Sequence, residues 1–200
     1  DVNLLKYNVI LMADGTYGSL SPDKIRQFTQ NGGTVVAIGG ALKWLAKQNL
    51  LAVEFKTAAS EKNMRRPYDG VEEDLGARRL PGCIFEALLD LTHPVCYGYD
   101  RTMLPVFLGD SIFAEAPANS YAAPVTFTEK PLLAGYIHPK FLPLTKNAAA
   151  VVVGGIGSGR LIGFSGDPAF RSFWYGTNRL LANALFFGNL INGDTVVRSK

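Results

Sequence analysis

The chain is poor in the residues on which most catalytic and metal chemistry depends. Across 200 residues there are two cysteines, Cys83 and Cys96, and two histidines, His93 and His138. Two cysteines cannot build a disulfide scaffold; they either form one bridge or sit as buried small apolar side chains, and the second reading is preferred. Neither histidine lies in an H-x-x-E or H-x-x-x-H arrangement. A histidine-rich zinc site is therefore excluded, and a mixed Cys/His site would need four scattered residues to converge. Charge is also scarce, with Asp, Glu, Lys and Arg making up 18% of the chain. The net charge of +3 is dispersed rather than gathered into a basic stripe, which argues against a nucleic-acid or anionic-membrane surface. The longest apolar run, residues 148–153, falls far short of the roughly 18 residues that a membrane span needs. No basic, apolar leader with a small-residue cleavage site opens the chain, and this leaves its compartment open.

Apolar residues are plentiful, at 48%, enough to fill the core of one domain and too many for disorder. Residues 8–13 (NVILMA) run into the turn-rich DGTYGSL, which predicts a buried strand and a loop. Ser21, Pro22 and Asp23 supply an N-cap, a first-turn proline and an early acid; Ile25 and Phe28 follow at helical spacing, and Gly32 and Gly33 close the helix. Residues 34–38 (TVVAI) predict a second buried strand, Gly39 and Gly40 a sharp turn, residues 41–48 a helix, and residues 51–55 a further strand. This alternation with short connections predicts a parallel sheet covered by helices. At residues 61–79 five basic side chains stand against five acidic ones, a polar insertion within the single domain. It reads as a solvated segment or short surface helix, with a partner-binding loop as the alternative.

The second half is β-rich in pattern. Residues 83–89, 104–108, 125–128, 132–137, 149–153 and 161–165 form short apolar runs, and the last two flank GGIGSGR as a hairpin whose glycines supply positive φ. A helix over about residues 177–187 has Leu180, Leu181, Ala184, Leu185 and Phe187 on its apolar side. GGIGSGR is not a phosphate loop, because Arg160 stands where the spacing requires glycine and a strand, not a helix, follows. GFSGD misses the G-x-S-x-G elbow, with Asp167 in place of the last glycine, so Ser165 is a poor candidate nucleophile. FRSFWYGTNRL is dense in aromatics. It is either a ligand-stacking platform, with Arg171 and Arg179 as anion handles, or an aromatic plug under the last helix, and the plug is preferred. His93, before Pro94, is read as a hydrogen-bonded loop residue rather than a base.

The stretch GGTVVAIGGALKWL combines a buried strand, a tight glycine turn and a helix, the arrangement of a nucleophile elbow. Here the chain resembles the class I glutamine amidotransferase-like fold, an α/β, flavodoxin-like sheet with helices on both faces. Set on the family pattern of strand, small residue, cysteine, any residue, glycine, helix, Gly39 stands where the cysteine belongs and Gly40 follows it. YNVILMADGTYGSL is similar to the family's strand and glycine-rich loop before the elbow. The partner histidine of the family follows a late strand, where this chain has GRLIGFSGDPAF and no histidine. Without thiolate or base, acyl transfer from glutamine has no mechanism, and no catalytic residue is assigned. LPGCIFEALLDLTHPVCYGY and GDPAFRSFWYGTNRLLANALFFG resemble the amidotransferase-like region that follows the catalytic domain in some bacterial zinc carboxypeptidases.

That resemblance implies a periplasmic or secreted peptidase as parent, with zinc confined to its separate upstream domain and no cofactor or metal in this one. It also implies a strand–helix–strand unit before Tyr7, so that the chain is expected to be a C-terminal piece. The expected role is that of a non-catalytic accessory domain packed against the peptidase domain. The competing reading is a small-molecule or glycan-binding module in the degenerate crevice, lined by Asp14, Gly15, Thr16, Tyr17, Gly39 and Gly40, with Arg171 and Trp174 beside it. A third class, an enzyme with its nucleophile moved to Cys83 or Ser165, is disfavoured. The strand at residues 8–13 is expected to expose an edge through which two copies associate.

Overall fold

The structure, a computed structural model, describes residues 2–57, 67–76, 80–110 and 112–198. The chain enters through β1 (Val9–Met12), α1 (Pro22–Gln30), β2 (Thr34–Ile38) and α2 (Gly40–Lys47). Pro22 opens α1, and Ser21 before it has extended backbone, but the Ser21 hydroxyl makes no capping bond. A short α3 (Val71–Gly76) follows. The β-rich half comprises β3 (Cys83–Leu89), β4 (Met103–Leu108), β5 (Ala114–Glu115) and β6 (Val125–Gly135). The short helix α4 (Leu142–Thr145) leads to β7 (Ala148–Ile156), β8 (Gly159–Phe164), α5 (Asn178–Phe187) and β9 (Val197–Arg198).

Among the described residues these strands form one sheet in the order β1-β2-β8-β7-β6-β3-β4, with β5 and β9 also pairing with β7. β1, β2 and β8 run parallel, and the remaining members of that path are antiparallel. All five residues of β2 are buried, which is why TVVAI lacks any polar alternation. Val35 and Ala37 face a core shared with Ile25 and Phe28 of α1 and Leu42 and Leu45 of α2. Val36 and Ile38 face the opposite core, with Phe85, Phe127 and, from α5, Leu180 and Ala184. Helices therefore cover both faces of the parallel part. Each fully buried large apolar side chain in these layers contributes roughly 1.5–3 kcal/mol.

Close contacts explain several glycines. A Cβ at Gly159 would lie 2.1 Å from the Thr29 carbonyl oxygen and 2.4 Å from that of Gly33, so α1 packs directly on the β8 backbone. The predicted hairpin is β7–β8, turning at Gly157 with φ 58°.

Three expectations are corrected. Residues 51–55 are not a strand: Leu50 and Leu51 donate their amides to the Leu45 carbonyl and bury their side chains, and Phe55 alone makes an isolated bridge, to Ala114. Residues 125–128 and 132–137 are not two strands. They fuse into β6, which continues through Pro131 with register shifts against β3. On the last helix Phe187 is an exposed residue, while Asn183 turns inward and donates to the carbonyls of Val95 (2.9 Å) and Tyr97 (2.8 Å). Of the expected insertion, residues 68–70 form a 3-10 turn leading into α3; residues 61–66 and 77–79 lie outside the described residues.

Candidate functional site

At the carboxyl end of β2 the chain makes a sharp strand–turn–helix bend. Gly39 adopts φ 56°, ψ −114° and leads directly into α2. Its N–H donates to the Phe164 carbonyl at 3.0 Å, which ties the bend to the end of β8. This is the backbone of a nucleophile elbow with no side chain at its tip. In a working elbow, the N–H of the residue after the nucleophile helps to hold the oxyanion. Here the Gly40 N–H donates to Asp14 Oδ1 at 2.7 Å.

Asp14 therefore occupies two places at once. Its carboxylate takes the oxyanion donor, and it fills the space of the missing side chain: a Cβ on Gly39 would lie 2.6 Å from Asp14 Oδ1 and 2.8 Å from its Cγ. At Gly40 a Cβ would stand 2.5 Å from the Gly15 carbonyl oxygen. Glycine at both positions is thus required by the approach of the Asp14–Gly15 loop, and at Gly39 by positive φ as well. Tyr17 pins that loop, its hydroxyl donating to the Ala13 carbonyl at 2.6 Å and its ring 6.2 Å from that of Trp44. Burial, helped by the Asp14 charge, pushes the Tyr17 phenol above its ordinary pKa. Thr16 is exposed on the same loop.

Of the expected crevice, Asp14, Gly15, Gly39 and Gly40 are brought into contact. Arg171 and Trp174 belong to an aromatic cluster after β8, supported from elsewhere. Phe107 of β4, which the sequence reading did not single out, stacks on Phe170 at 4.0 Å and tilts against Trp174 at 6.2 Å. Phe173 packs edge-on to both Phe170 and Trp174, and Arg171 lies over the Phe170 ring at 5.3 Å. The sheet curls far enough for its last strand, β4, to meet the loop that follows β8. Arg171 and Ser172 hold left-handed φ values of 49° and 55°, and the Trp174 indole N–H is buried without a hydrogen-bond partner. Arg179 is engaged too, hydrogen-bonded to the Gly98 carbonyl and set over the Tyr99 ring.

The other chemically able groups have structural employment. Ser165 is buried and donates to the Ala149 carbonyl at 2.7 Å. Cys83 and Cys96 are both free and buried. Burial pushes the Cys83 thiol up, and burial chiefly, with the Asp90 charge, pushes that of Cys96 to about 12. Neither is poised as a thiolate. Nδ1 of His93 accepts the Val95 N–H at 3.2 Å and caps a 3-10 turn, while Nε2 is buried without a partner. Burial holds its pKa below the ordinary value against the opposing pull of Asp90. Asp167, in the loop after β8, accepts the Ala169 N–H at 2.9 Å within its own turn. Among the described residues no group of three or more His, Cys, Asp or Glu side chains is arranged to hold a metal ion. Among them, too, no helix is long and apolar enough to cross a membrane.

No protein-family model and no curated protein sequence matches the chain. Solved structures do. A ThuA-like protein from Parabacteroides merdae aligns with a TM-score of 0.56 at 14% identity, over 94% of this chain and 72% of its own. A ThuA-like protein from Bacteroides uniformis aligns with a TM-score of 0.51 at 18% identity, over 90% of this chain and 69% of its own. The fold is glutamine-amidotransferase-like. At such identities the likeness is one of fold alone, and function has to be argued from the site. Within this fold the bend at Gly39 has φ 56° and ψ −114° and carries no side chain. What a reading of the sequence missed is that Asp14, foreseen only as a lining residue, sits on the elbow itself. The available signal was an acid directly followed by glycine at the end of the strand neighbouring a Gly-Gly turn.

Proposed function

We propose that this chain is a non-catalytic, amidotransferase-like accessory domain of a bacterial zinc carboxypeptidase that acts outside the cytoplasm. It packs against the peptidase domain and helps position it or its substrate. The observation that carries the non-catalytic part is the seating of Asp14 on the Gly40 N–H above a glycine elbow. An acyl-transfer intermediate would need that donor, and a nucleophile would need the space that the carboxylate fills. The same seat disfavours an anionic ligand in the crevice, because such a ligand would meet a carboxylate rather than an open N–H. The carboxypeptidase part rests on the resemblance of residues 80–99 and 166–188. Zinc, in this reading, belongs to the peptidase domain.

An accessory domain needs a contact face, and the outer face of β4-β3-β6 supports this role. Leu88, Met103 and Leu133 are exposed apolar residues there, and Glu86, Asp100 and Arg101 border a concavity of about 570 Å³. Apolar side chains with a polar rim are the composition of an interdomain contact. The test joins a reading with a measurement. An H-x-x-E zinc motif encoded upstream in the same frame, with a separately produced peptidase domain binding this chain and binding Met103→Asp at least about tenfold more weakly, supports the proposal. A frame without a peptidase domain overturns it.

A further inference from the structure

The chain holds two Asn–Gly pairs, Asn31–Gly32 and Asn192–Gly193. In such a pair the glycine nitrogen can attack the asparagine side-chain amide, because no Cβ hinders the close approach of the backbone. The two pairs are held in opposite ways. Asn31 closes α1, and the Gly32 N–H that would attack donates to the Thr29 carbonyl at 2.9 Å. The Asn31 side-chain nitrogen donates to the Gln27 carbonyl at 2.7 Å, which ties the amide back along the helix. Asn192 instead is exposed in the loop between α5 and β9. Its Oδ1 accepts the Asp194 N–H at 3.0 Å, an Asx turn that folds the side-chain carbonyl over the following peptide. The Gly193 N–H donates to no backbone carbonyl among the described residues.

The surroundings of Asn192 favour each charge that this attack develops. Loss of the Gly193 amide proton puts negative charge on the Asn192 carbonyl oxygen. That oxygen accepts the Thr195 hydroxyl at 2.8 Å and the Thr195 N–H at 3.2 Å. Attack then puts charge on Oδ1, where the Asp194 N–H already stands. Two guanidinium groups flank the loop. Arg160 donates through Nε to the Ile191 carbonyl at 2.8 Å and lies against Gly193, where a Cβ would stand 3.0 Å from its Nη2. Arg198 donates to the Gly193 carbonyl at 3.1 Å and pairs with Asp194 at 3.4 Å. Two cations against one acid leave the loop positive.

We propose that this loop makes Asn192 a site of spontaneous deamidation, while the end of α1 protects Asn31. The Gly193 nitrogen gives its proton to water and bonds to Asn192 Cγ; the Cγ–Nδ2 bond breaks, and the amide nitrogen takes up a proton and leaves as ammonia. Water then opens the cyclic imide, at the main-chain carbonyl to give isoaspartate or at Cγ to give aspartate, so water is the only reagent consumed. The product is a new carboxylate beside Arg160 and Arg198 and, in the isoaspartyl form, a main chain one carbon longer just before β9. None of this depends on whether the domain serves a peptidase.

The experiment ages the whole chain at mildly alkaline pH, in native buffer and in concentrated urea, and follows both pairs by peptide mapping with mass spectrometry. In the native chain Asn192 is expected to convert at least about tenfold faster than Asn31, with its isoaspartyl product detected by enzymatic carboxyl methylation. In urea, where neither loop nor helix end is formed, the two rates are expected to converge. Thr195→Val removes the hydroxyl from the Asn192 carbonyl and keeps the β-branched shape. Checked for folding by circular dichroism, it is expected to slow Asn192 by at least about threefold and to leave Asn31 unchanged. Equal native rates, or a faster Asn31, overturn the proposal. So does a native preference that persists undiminished in urea, which would assign it to the neighbouring sequence rather than to the loop. An Asn192 rate unchanged or raised in folded Thr195→Val also overturns it.

Discussion

Replacing Gly39 by alanine tests whether Asp14 holds the elbow closed, because two separable costs fall on one methyl group. A residue with a Cβ at φ 56°, ψ −114° carries backbone strain of about 2 kcal/mol. The new methyl carbon would also stand 2.6 Å from Asp14 Oδ1, so the carboxylate must leave and the Gly40 hydrogen bond is lost. That bond is short and has a charged acceptor, but Asp14 is solvent-exposed, which limits its worth to about 1 kcal/mol. Alanine returns about 0.5 kcal/mol by stiffening the unfolded chain. Gly39→Ala should therefore destabilise by about 2.5 kcal/mol, and Asp14→Ala alone by about 1 kcal/mol. In the double variant the carboxylate is already gone, so the total should stay near 2.5 kcal/mol rather than reach about 3.5 kcal/mol. Urea unfolding of the four proteins, with slopes unchanged, measures the coupling of about 1 kcal/mol. Additivity to within about 0.3 kcal/mol would refute the reasoning, since it would mean that a Cβ at Gly39 does not displace Asp14.

Other consequences follow from the packing and the buried titratable groups. Gly159→Ala, whose methyl would meet two backbone carbonyls of the α1 region, should cost about 3 kcal/mol or more in denaturant melts, because neither carbonyl can yield without moving the helix. Phe107→Ala should remove the stacking partner of Phe170 and shift Trp174 emission toward that of an exposed indole, while Trp44, paired with Tyr17, is unaffected. His93 has a folded-state pKa below its unfolded value of about 6.5, so the unfolded chain gains a proton first. Stability should then be full above that pH and fall below it, down to the folded-state pKa. His93→Asn, which keeps an acceptor for the Val95 N–H, should remove this limb of the pH profile. Asp90, held low chiefly by the Thr92 hydroxyl, gives a separate limb below about pH 4 that the substitution leaves in place. Cys83 and Cys96 should resist a thiol reagent at pH 8 in the native state and react together on unfolding.

The parallel half of the fold was legible because its signals are local. TVVAI is apolar throughout because both faces of β2 are covered, and Gly39 and Gly40 announce a turn that leaves no room for side chains. The β7–β8 hairpin was readable from its glycines for the same reason. Residues 51–55 misled because burial and strand pairing leave the same apolar trace: Leu50 and Leu51 fill the core under α2 without joining a ladder. The site was half legible. That Gly39 rather than a cysteine stands at the turn can be read directly from the chain, but the Asp14–Gly40 contact spans 26 residues and joins an exposed acid to a backbone N–H, which no periodicity encodes. Phe107 was invisible for a related reason. Its strand is the far end of the sheet, and only the curl of the sheet carries it to Phe170.

The claim at the centre of this account is that the elbow persists as structure after its chemistry has gone. The most direct test is a hydrolysis assay of the purified chain on glutamine, an activated ester and peptides with free carboxyl termini, each with and without added zinc. The account predicts no turnover above the buffer blank in any of them. Turnover that disappears in Cys83→Ala or Ser165→Ala, with the fold intact by circular dichroism, would contradict it and place a nucleophile in the chain after all.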